Sequence, residues 1–282
     1  MFLSFWKLAP ISLEVAAALL PASSGNPRRA ILVKIVKAKL ISCEIFFREI
    51  CAVVARSPNF IDIEFLPKGL HDMGAPKMLA RLQEVIDQVT DPKYEAIILG
   101  YALCGNGLVG LEARSVPIVV PRAHDCITLF LGSKERYLDY FQNHSGVYFK
   151  TTGWIERGAN AGQLAQTSIS RKMGFGSSLE ELVEKYGEEN AQFLFDQINN
   201  YATNYSQFTF IEMGIEPDDR FEKHAQQEAL DRGWSYDKIQ GDMSLIERLV
   251  NGPWDNNEFL VVPPGRKVVA CYNEQILGLE EA

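Results

Sequence analysis

The chain has 282 residues, of which 47% are hydrophobic and 23% are charged, and this ordinary globular composition excludes a disordered or fibrous protein. The formal net charge is −8, and no block of lysine and arginine could neutralise several phosphates in a row, so sequence-independent binding to nucleic acid is disfavoured. An odd number of cysteines, five, argues against a secreted disulfide framework and for free thiols in a reducing, cytoplasmic compartment.

The first segment, residues 1–30, is expected to be a poorly ordered leader. Residues 2–20 are largely apolar, which resembles a secretory signal, but Lys7 is the only basic residue near its start and Glu14 interrupts the run. No uninterrupted stretch of about 18 apolar residues is present to span a bilayer. We therefore expect no membrane association.

From Ile31 onward, short β-branched runs alternate with amphipathic stretches, a pattern typical of βαβ units. Each helix is indicated by apolar residues at helical spacing, and each strand by a short buried run between turn residues. In chain order the first half predicts strand 39–43, helix 44–56, strand 60–66, a helix with the apolar stripe 78–89, strand 96–99, strand 118–120, and helices 127–131 and 134–141.

The second half is less regular. Residues 153–178 contain several glycines and serines and are the predicted hinge or insertion. Ser178 and Glu181 have capping-box spacing, so a helix is expected from there to about residue 200. Beyond it the sequence predicts strand 208–211, helices 218–231 and 244–250, and strands 259–262 and 267–271.

These elements predict an α/β domain over residues 31–278, with a mostly parallel, Rossmann-like sheet and helices on both faces. The order of elements fits two organisations. One is a pair of lobes, 31–150 and 179–278, and the other is a single sheet with a long insertion.

Thiols and an imidazole follow the predicted strands at one edge of the sheet. Cys43 ends the first strand, Cys104 follows the third, and His124 and Cys126 follow the fourth. Ligands of open parallel sheets bind outside the carboxyl ends of the strands, so we expect these side chains to meet. Cys104, His124 and Cys126 would hold zinc and leave a fourth position open for water or substrate. Ligand softness also allows iron.

Three further residues are catalytic candidates. Cys43 lies where a strand turns into a helix, whose N-terminus lowers the pKa of a thiol. His71 could carry a proton or orient a ligand, and Asp125 stands between two of the expected metal ligands. Each has a plain structural alternative: Cys43 as a small core side chain, His71 as a surface loop residue, and Asp125 as an ion-pair partner of Arg122.

A small, anionic substrate is expected. Arg122 could clamp a carboxylate or phosphate through two hydrogen bonds. Asn106 lies between two glycines, which let the backbone approach a ligand closely, so it is the second candidate for substrate binding. The pattern Gly105-x-Gly107-x-x-Gly110 also fits a dinucleotide-binding turn, but no downstream ribose-binding acid supports it.

Three segments, 100–107, 121–133 and 259–265, resemble the family called domain of unknown function 1638, and Cys43-Glu44 and Leu70-His71-Asp72 fit it as well. The resemblance covers about residues 38–278. It implies corrinoid or methyltransferase proteins as partners, because members are often encoded near corrinoid-dependent methyl-transfer systems. Some zinc methyltransferases use a His-x-Cys pair and a distant cysteine. Here the lone Cys104 precedes the pair, which departs from that pattern.

The sequence leaves three functions open. The leading hypothesis is a metal-binding enzyme, a transferase or lyase, with zinc or iron at Cys104, His124 and Cys126 and a link to corrinoid or one-carbon methyl transfer. The second is a metal-free, racemase-like enzyme in which Cys43 or Cys104 is the nucleophile or part of an acid and base pair. The third is a non-catalytic accessory protein of methyl-transfer systems.

Overall fold

A computed structural model describes residues 35–144, 146–158 and 205–281, together with the single residues 180, 183, 187 and 188. The predicted leader, the predicted helix from Ser178 and most of the predicted hinge lie outside these residues. In chain order the elements are β1 (Lys37–Cys43), a 3-10 helix (Glu44–Phe46), α1 (Phe47–Val54), β2 (Phe60–Leu66), a second 3-10 helix (Lys68–Met73), α2 (Ala75–Asp87), β3 (Ala96–Gly100), β4 (Ile118–Pro121), α3 (Cys126–Leu131), α4 (Lys134–Asn143), β5 (Val147–Thr151), α5 (Thr152–Gly158), β6 (Gln207–Glu212), α6 (Arg220–Arg232), β7 (Ser235–Gln240), α7 (Ser244–Asn251), β8 (Phe259–Val262), β9 (Arg266–Ala270) and β10 (Leu277–Glu281).

The largest sheet has the strand order β2-β1-β3-β4-β8. The first four strands run parallel, and β8 pairs antiparallel with β4. A second sheet, β5-β6-β7, is parallel throughout, and β9 forms an antiparallel pair with β10. The predicted mixed α/β fold with a mostly parallel sheet is therefore confirmed.

Burial explains why these segments form strands. Every residue of β3 and β4 is buried, and both read as near-continuous apolar runs, as expected for parallel strands that are covered on both faces. The predicted stripe on α2 is confirmed, since Met78, Leu82 and Val85 are fully buried against the core. Within the described residues, no helix is both long enough and apolar enough to cross a bilayer.

Three strands and a helix were not predicted. Residues 153–158, expected as the start of a hinge, belong to α5, which follows β5 directly. The strands β7 and β10 carry charged, exposed residues at sheet edges, so their apolar pattern is weak. The structure thus replaces the first part of the predicted hinge with the helix α5, which directly follows the unpredicted strand β5.

Candidate functional site

A cavity of about 280 Å³ lies at the carboxyl ends of β1, β2, β3 and β4. The segments that follow these four strands form one side of it, and residues of β5 and α5 form another. Its position is the usual one for ligands of parallel α/β sheets. The polar, sulfur-containing and indole side chains among the described residues of its wall are those of Cys43, Lys68, His71, Met78, Tyr101, Cys104, Asp125, Cys126, Tyr148, Trp154 and Tyr205.

Close approach of β1 and β3 sets the position of Cys43. A Cβ on Gly100 would lie 2.6 Å from the Ser42 Cβ, so only glycine allows this packing. Cys43, which is 7% exposed, then begins the turn into the first 3-10 helix. In that helix Glu44 accepts a hydrogen bond of 2.8 Å from the backbone N–H of Lys68, which ties the ends of β1 and β2 together.

Cys104 is held in an unusual backbone conformation. Its φ is +47° and that of Asn106 is +70°, and side chains other than glycine rarely adopt such values. The N–H of Leu103 donates to the Ala123 carbonyl and the N–H of Cys104 to the His124 carbonyl, each at 2.9 Å. These bonds fasten the loop after β3 to the loop after β4, which brings Cys104 and Cys126 to the same cavity.

Asp125 fixes the start of α3, and therefore the position of Cys126, the first residue of that helix. Its Oδ1 accepts from the Ile127 N–H at 3.0 Å, and its Oδ2 accepts from the Tyr137 hydroxyl at 2.9 Å. Burial raises the pKa of the Asp125 carboxyl, and the hydrogen bonds to its ionised form oppose this rise.

The thiols of Cys104 and Cys126 keep their protons at neutral pH. Burial, with smaller contributions from the neighbouring Cys43 and Asp125, raises the pKa of Cys104 to about 12, and a backbone hydrogen bond at Ala102 opposes the rise. Burial also raises the pKa of Cys126 well above its usual range, and a hydrogen bond from Trp154 opposes this only in part. A bound cation or a ligand that accepts a proton would be needed to turn these groups into thiolates.

Tyr101 is a second unusual feature of the cavity wall. Its side chain is 3% exposed, and its hydroxyl has no hydrogen-bond partner among the described residues. Burial and the nearby Cys43 and Cys104 hold the pKa of the phenol well above its usual range. A buried hydroxyl without a partner is uncommon in proteins, so a ligand in the cavity is a natural acceptor for it.

The structure does not bring all the predicted site residues together. Cys43, His71, Cys104, Asp125 and Cys126 line one cavity. His124 is exposed and lines a separate cavity of about 230 Å³, next to the α3 and α4 residues Thr128 and Tyr137. Within the residues that the structure describes, no group of three or more His, Cys, Asp or Glu side chains is arranged to hold a metal ion.

The two predicted substrate-binding residues also lie away from the cavity wall. Asn106 is exposed and does not line it. Arg122 is 7% exposed, and its guanidinium donates to the carbonyls of Phe259, Gln275 and Leu277. The guanidinium therefore joins the end of β4 to the C-terminal strands. A role of Asn106 and Arg122 in substrate binding stays a prediction.

Lys68, Tyr101 and Trp154 are residues of the cavity wall that were not predicted as site residues. Tyr101 directly follows β3 and Lys68 follows β2 by two positions, so their placement after a strand was a usable signal. Trp154 lies just after β5, which was not predicted, so no such signal was available for it.

The family model described as "Protein of unknown function (DUF1638)" matches residues 65–250, more than half of the chain. No curated protein and no solved structure matches the chain. The matched range includes the segments after β3 and β4 that carry Cys104 and Cys126, whereas Cys43 lies before it.

Proposed function

Because the chain belongs to the DUF1638 family, whose description names no activity, we propose its function from the cavity: it is a cysteine-dependent enzyme that acts on a small molecule. The observation that carries this proposal is that thiols from three strand ends, Cys43, Cys104 and Cys126, line one cavity together with His71. Core cysteines packed as small hydrophobic residues would have no reason to share a cavity.

The topology of the sheet supports this assignment. We propose that the sheet is Rossmann-like. In the order β2-β1-β3-β4 the second strand lies on one side of β1 and the next two lie on its other side, so the direction in which strands are added reverses between β1 and β3. Doubly wound sheets bind ligands at such a reversal. Cys43 ends β1, and Tyr101 and Cys104 follow β3, so they flank this point.

The state of the thiols favours proton transfer. With their pKa values raised, Cys104 and Cys126 keep their protons at neutral pH, so they are available as proton donors and not as thiolate nucleophiles. We propose that His71 removes a proton from a carbon of the ligand and that Cys104 returns one to the same carbon. The imidazolium and the thiolate that result exchange one proton through solvent and reset the site. This is the chemistry of a racemase or epimerase.

Solvent deuterium tests the proposal. In D₂O the full chain should incorporate deuterium at the carbon next to the carboxyl group of a member of a panel of 2-amino and 2-hydroxy acids, as followed by proton NMR. Cys104→Ser should slow incorporation by about 10²-fold or more, since serine lacks an acidic thiol. Cys51→Ser and Cys271→Ser are matched controls, because neither residue lines the cavity. Equal rates in Cys104→Ser and the controls would contradict the proposal.

A second candidate function is the metal-dependent one, with zinc or iron. It is favoured by Cys104 and Cys126, two of the three predicted ligands, lining the same cavity, where a cation would lower their pKa values. As placed, the described ligands do not close around an ion, so we assign no step to a metal. Metal analysis of the same anaerobically purified variants separates the candidates. A content below about a tenth of an equivalent, unchanged by Cys104→Ser, would remove this one.

The remaining predictions concern the partners, the location and the domain organisation of the protein. Corrinoid or methyltransferase proteins as partners, the cytoplasmic location and the division into two lobes stay predictions. The accessory role is distinguished by the same deuterium measurement, because a protein without catalytic activity would show no incorporation dependent on Cys104.

A further inference from the structure

A second cavity, of about 560 Å³, adjoins the cavity that carries the thiols. Lys68 and Trp154 line both of them. The Lys68 ammonium lies 3.2 Å from the Trp154 carbonyl oxygen and 4.4 Å from the centre of its indole ring. These contacts hold a positive charge at the boundary between the two spaces.

The wall of the second cavity is positively charged, although the chain as a whole is acidic. The chain has a net charge of −8, yet among the residues that the structure describes Lys68, Lys150 and Arg220 line this cavity against one acidic residue, Glu156. Glu156 is itself neutralised, because both of its carboxylate oxygens accept from Arg48, at 2.9 and 3.0 Å. A locally positive concave wall on an acidic protein favours an anionic ligand.

The other two cations each pair with an acidic residue that does not itself line the cavity. Lys150 pairs with Glu228 at 2.9 Å, but Glu228 also accepts from Arg232, at 3.3 Å. Arg220 pairs with Asp218 at 3.0 Å, and its side chain is 65% exposed, so its fork of N–H donors also reaches solvent. Arg122, the cation expected from the sequence to hold an anion, is instead occupied by backbone carbonyls.

We infer that the second cavity binds the anionic group, a phosphate or a carboxylate, of the substrate whose reacting part occupies the thiol cavity. Lys68 contacts the substrate at the boundary, and Lys150 and Arg220 contact its anionic end through N–H donors, the usual partners of such groups. The inference rests on the proposed function, because the thiol cavity supplies the reacting groups.

Calorimetric titration of the full chain at low ionic strength tests this site, with inorganic phosphate and acetate as the two probes. At least one of them should bind the wild-type protein. Lys68→Gln should weaken that binding about tenfold or more, and Arg220→Gln, at an exposed position that can change without loss of folding, about threefold or more. Lys223→Gln is the matched control, because it removes a charge from the same helix without lining the cavity.

The two probes decide which anion the site prefers. No binding of either probe up to about 10 mM, or an equal loss of affinity in Lys223→Gln, would overturn the inference. Cys104→Ser should bind the probe as the wild type does. Phosphate or acetate binding without deuterium incorporation would therefore count against the proposed enzyme alone, and incorporation without such binding would count against the anionic site alone.

Discussion

At the scale of the residue, Cys104 combines two unfavourable features in one position. Its backbone has a φ of +47°, which costs a residue other than glycine about 1 kcal/mol or more, and burial penalises the ionised form of its thiol. Strain of this kind persists where the surroundings fix it, and here two backbone hydrogen bonds between the β3 and β4 loops do so. The combination is more typical of a functional position than of a core cysteine.

The raised pKa of Cys104 predicts its reactivity. At pH 9 roughly a thousandth of this thiol should be ionised in the folded protein, against about half in the unfolded chain. Its contribution to stability should be fully present below about pH 9 and lost as the pH rises through about 12. Alkylation by iodoacetamide, resolved by peptide mass spectrometry, measures the reactivity, with urea-unfolded protein as the control. Equal rates in the two states at pH 8 would contradict this prediction.

His124 and Cys126 line different cavities, although a single residue separates them in sequence. In extended backbone, residues two apart point to the same side, so His124 and Cys126 were expected to share a ligand. The predicted helix began at Ile127, but α3 begins at Cys126, because Asp125 caps it through the Ile127 N–H. Sequence patterns do not resolve a difference of one residue in a helix start.

At the scale of the element, buried strands were predictable and exposed ones were not. The strands β3 and β4 are buried throughout and have apolar sequences, and β1 is buried from Leu40 onward. The edge strand β7 has no buried residue, and Ser235–Gln240 carries charges that look like a loop. The helix α5 was hidden for another reason, since its two glycines favoured a hinge.

Gly153 explains how α5 comes close enough to wall the cavity. A Cβ on this residue would lie 2.7 Å from the Ile45 carbonyl carbon, and backbone cannot move aside as a flexible side chain can. Gly153→Ala should therefore lower the free energy of unfolding by about 1 to 3 kcal/mol and push Trp154 away from Cys126. Urea unfolding followed by tryptophan fluorescence measures both effects.

The control for this prediction lies on the same helix. Of the residues that the structure describes, a Cβ on Gly158 would meet only the Lys68 ammonium, at 3.2 Å, and that flexible end can move. Gly158→Ala should leave the free energy of unfolding within about 0.5 kcal/mol of wild type. A loss of stability as large in Gly158→Ala as in Gly153→Ala would show that helix composition, and not the contact with Ile45, is responsible.

At the scale of the whole molecule, the proposed anionic site is made of parts that are far apart in sequence. Lys68 follows β2, Lys150 lies on β5 and Arg220 begins α6. No local spacing connects them, so the sequence indicated an anionic ligand only through Arg122. The thiol cavity was more predictable, because the carboxyl ends of parallel strands meet at one edge by topology alone.

The pH dependence of global stability should depend on Glu49, a buried residue of α1. Its side chain is 1% exposed, and its Oε2 has no hydrogen-bond partner among the described residues. Burial raises its pKa from 4.5 to about 7, with Glu216 and Glu156 adding to the rise and a backbone hydrogen bond and Arg48 opposing it. Because the pKa is raised on folding, its stabilising contribution is fully present below about pH 4.5 and lost as the pH rises through 7.

Glu49→Gln keeps the shape of the side chain and removes this titration. The free energy of unfolding of the variant minus that of wild type should therefore be about 2 to 3 kcal/mol larger at pH 8 than at pH 5. Urea unfolding at the two pH values measures this difference. Glu247→Gln, at an exposed position on α7, should change stability by less than about 0.5 kcal/mol at either pH. An equal change in the free energy of unfolding at pH 5 and pH 8 would show that the Glu49 carboxyl is not the group that titrates, and the prediction would be wrong.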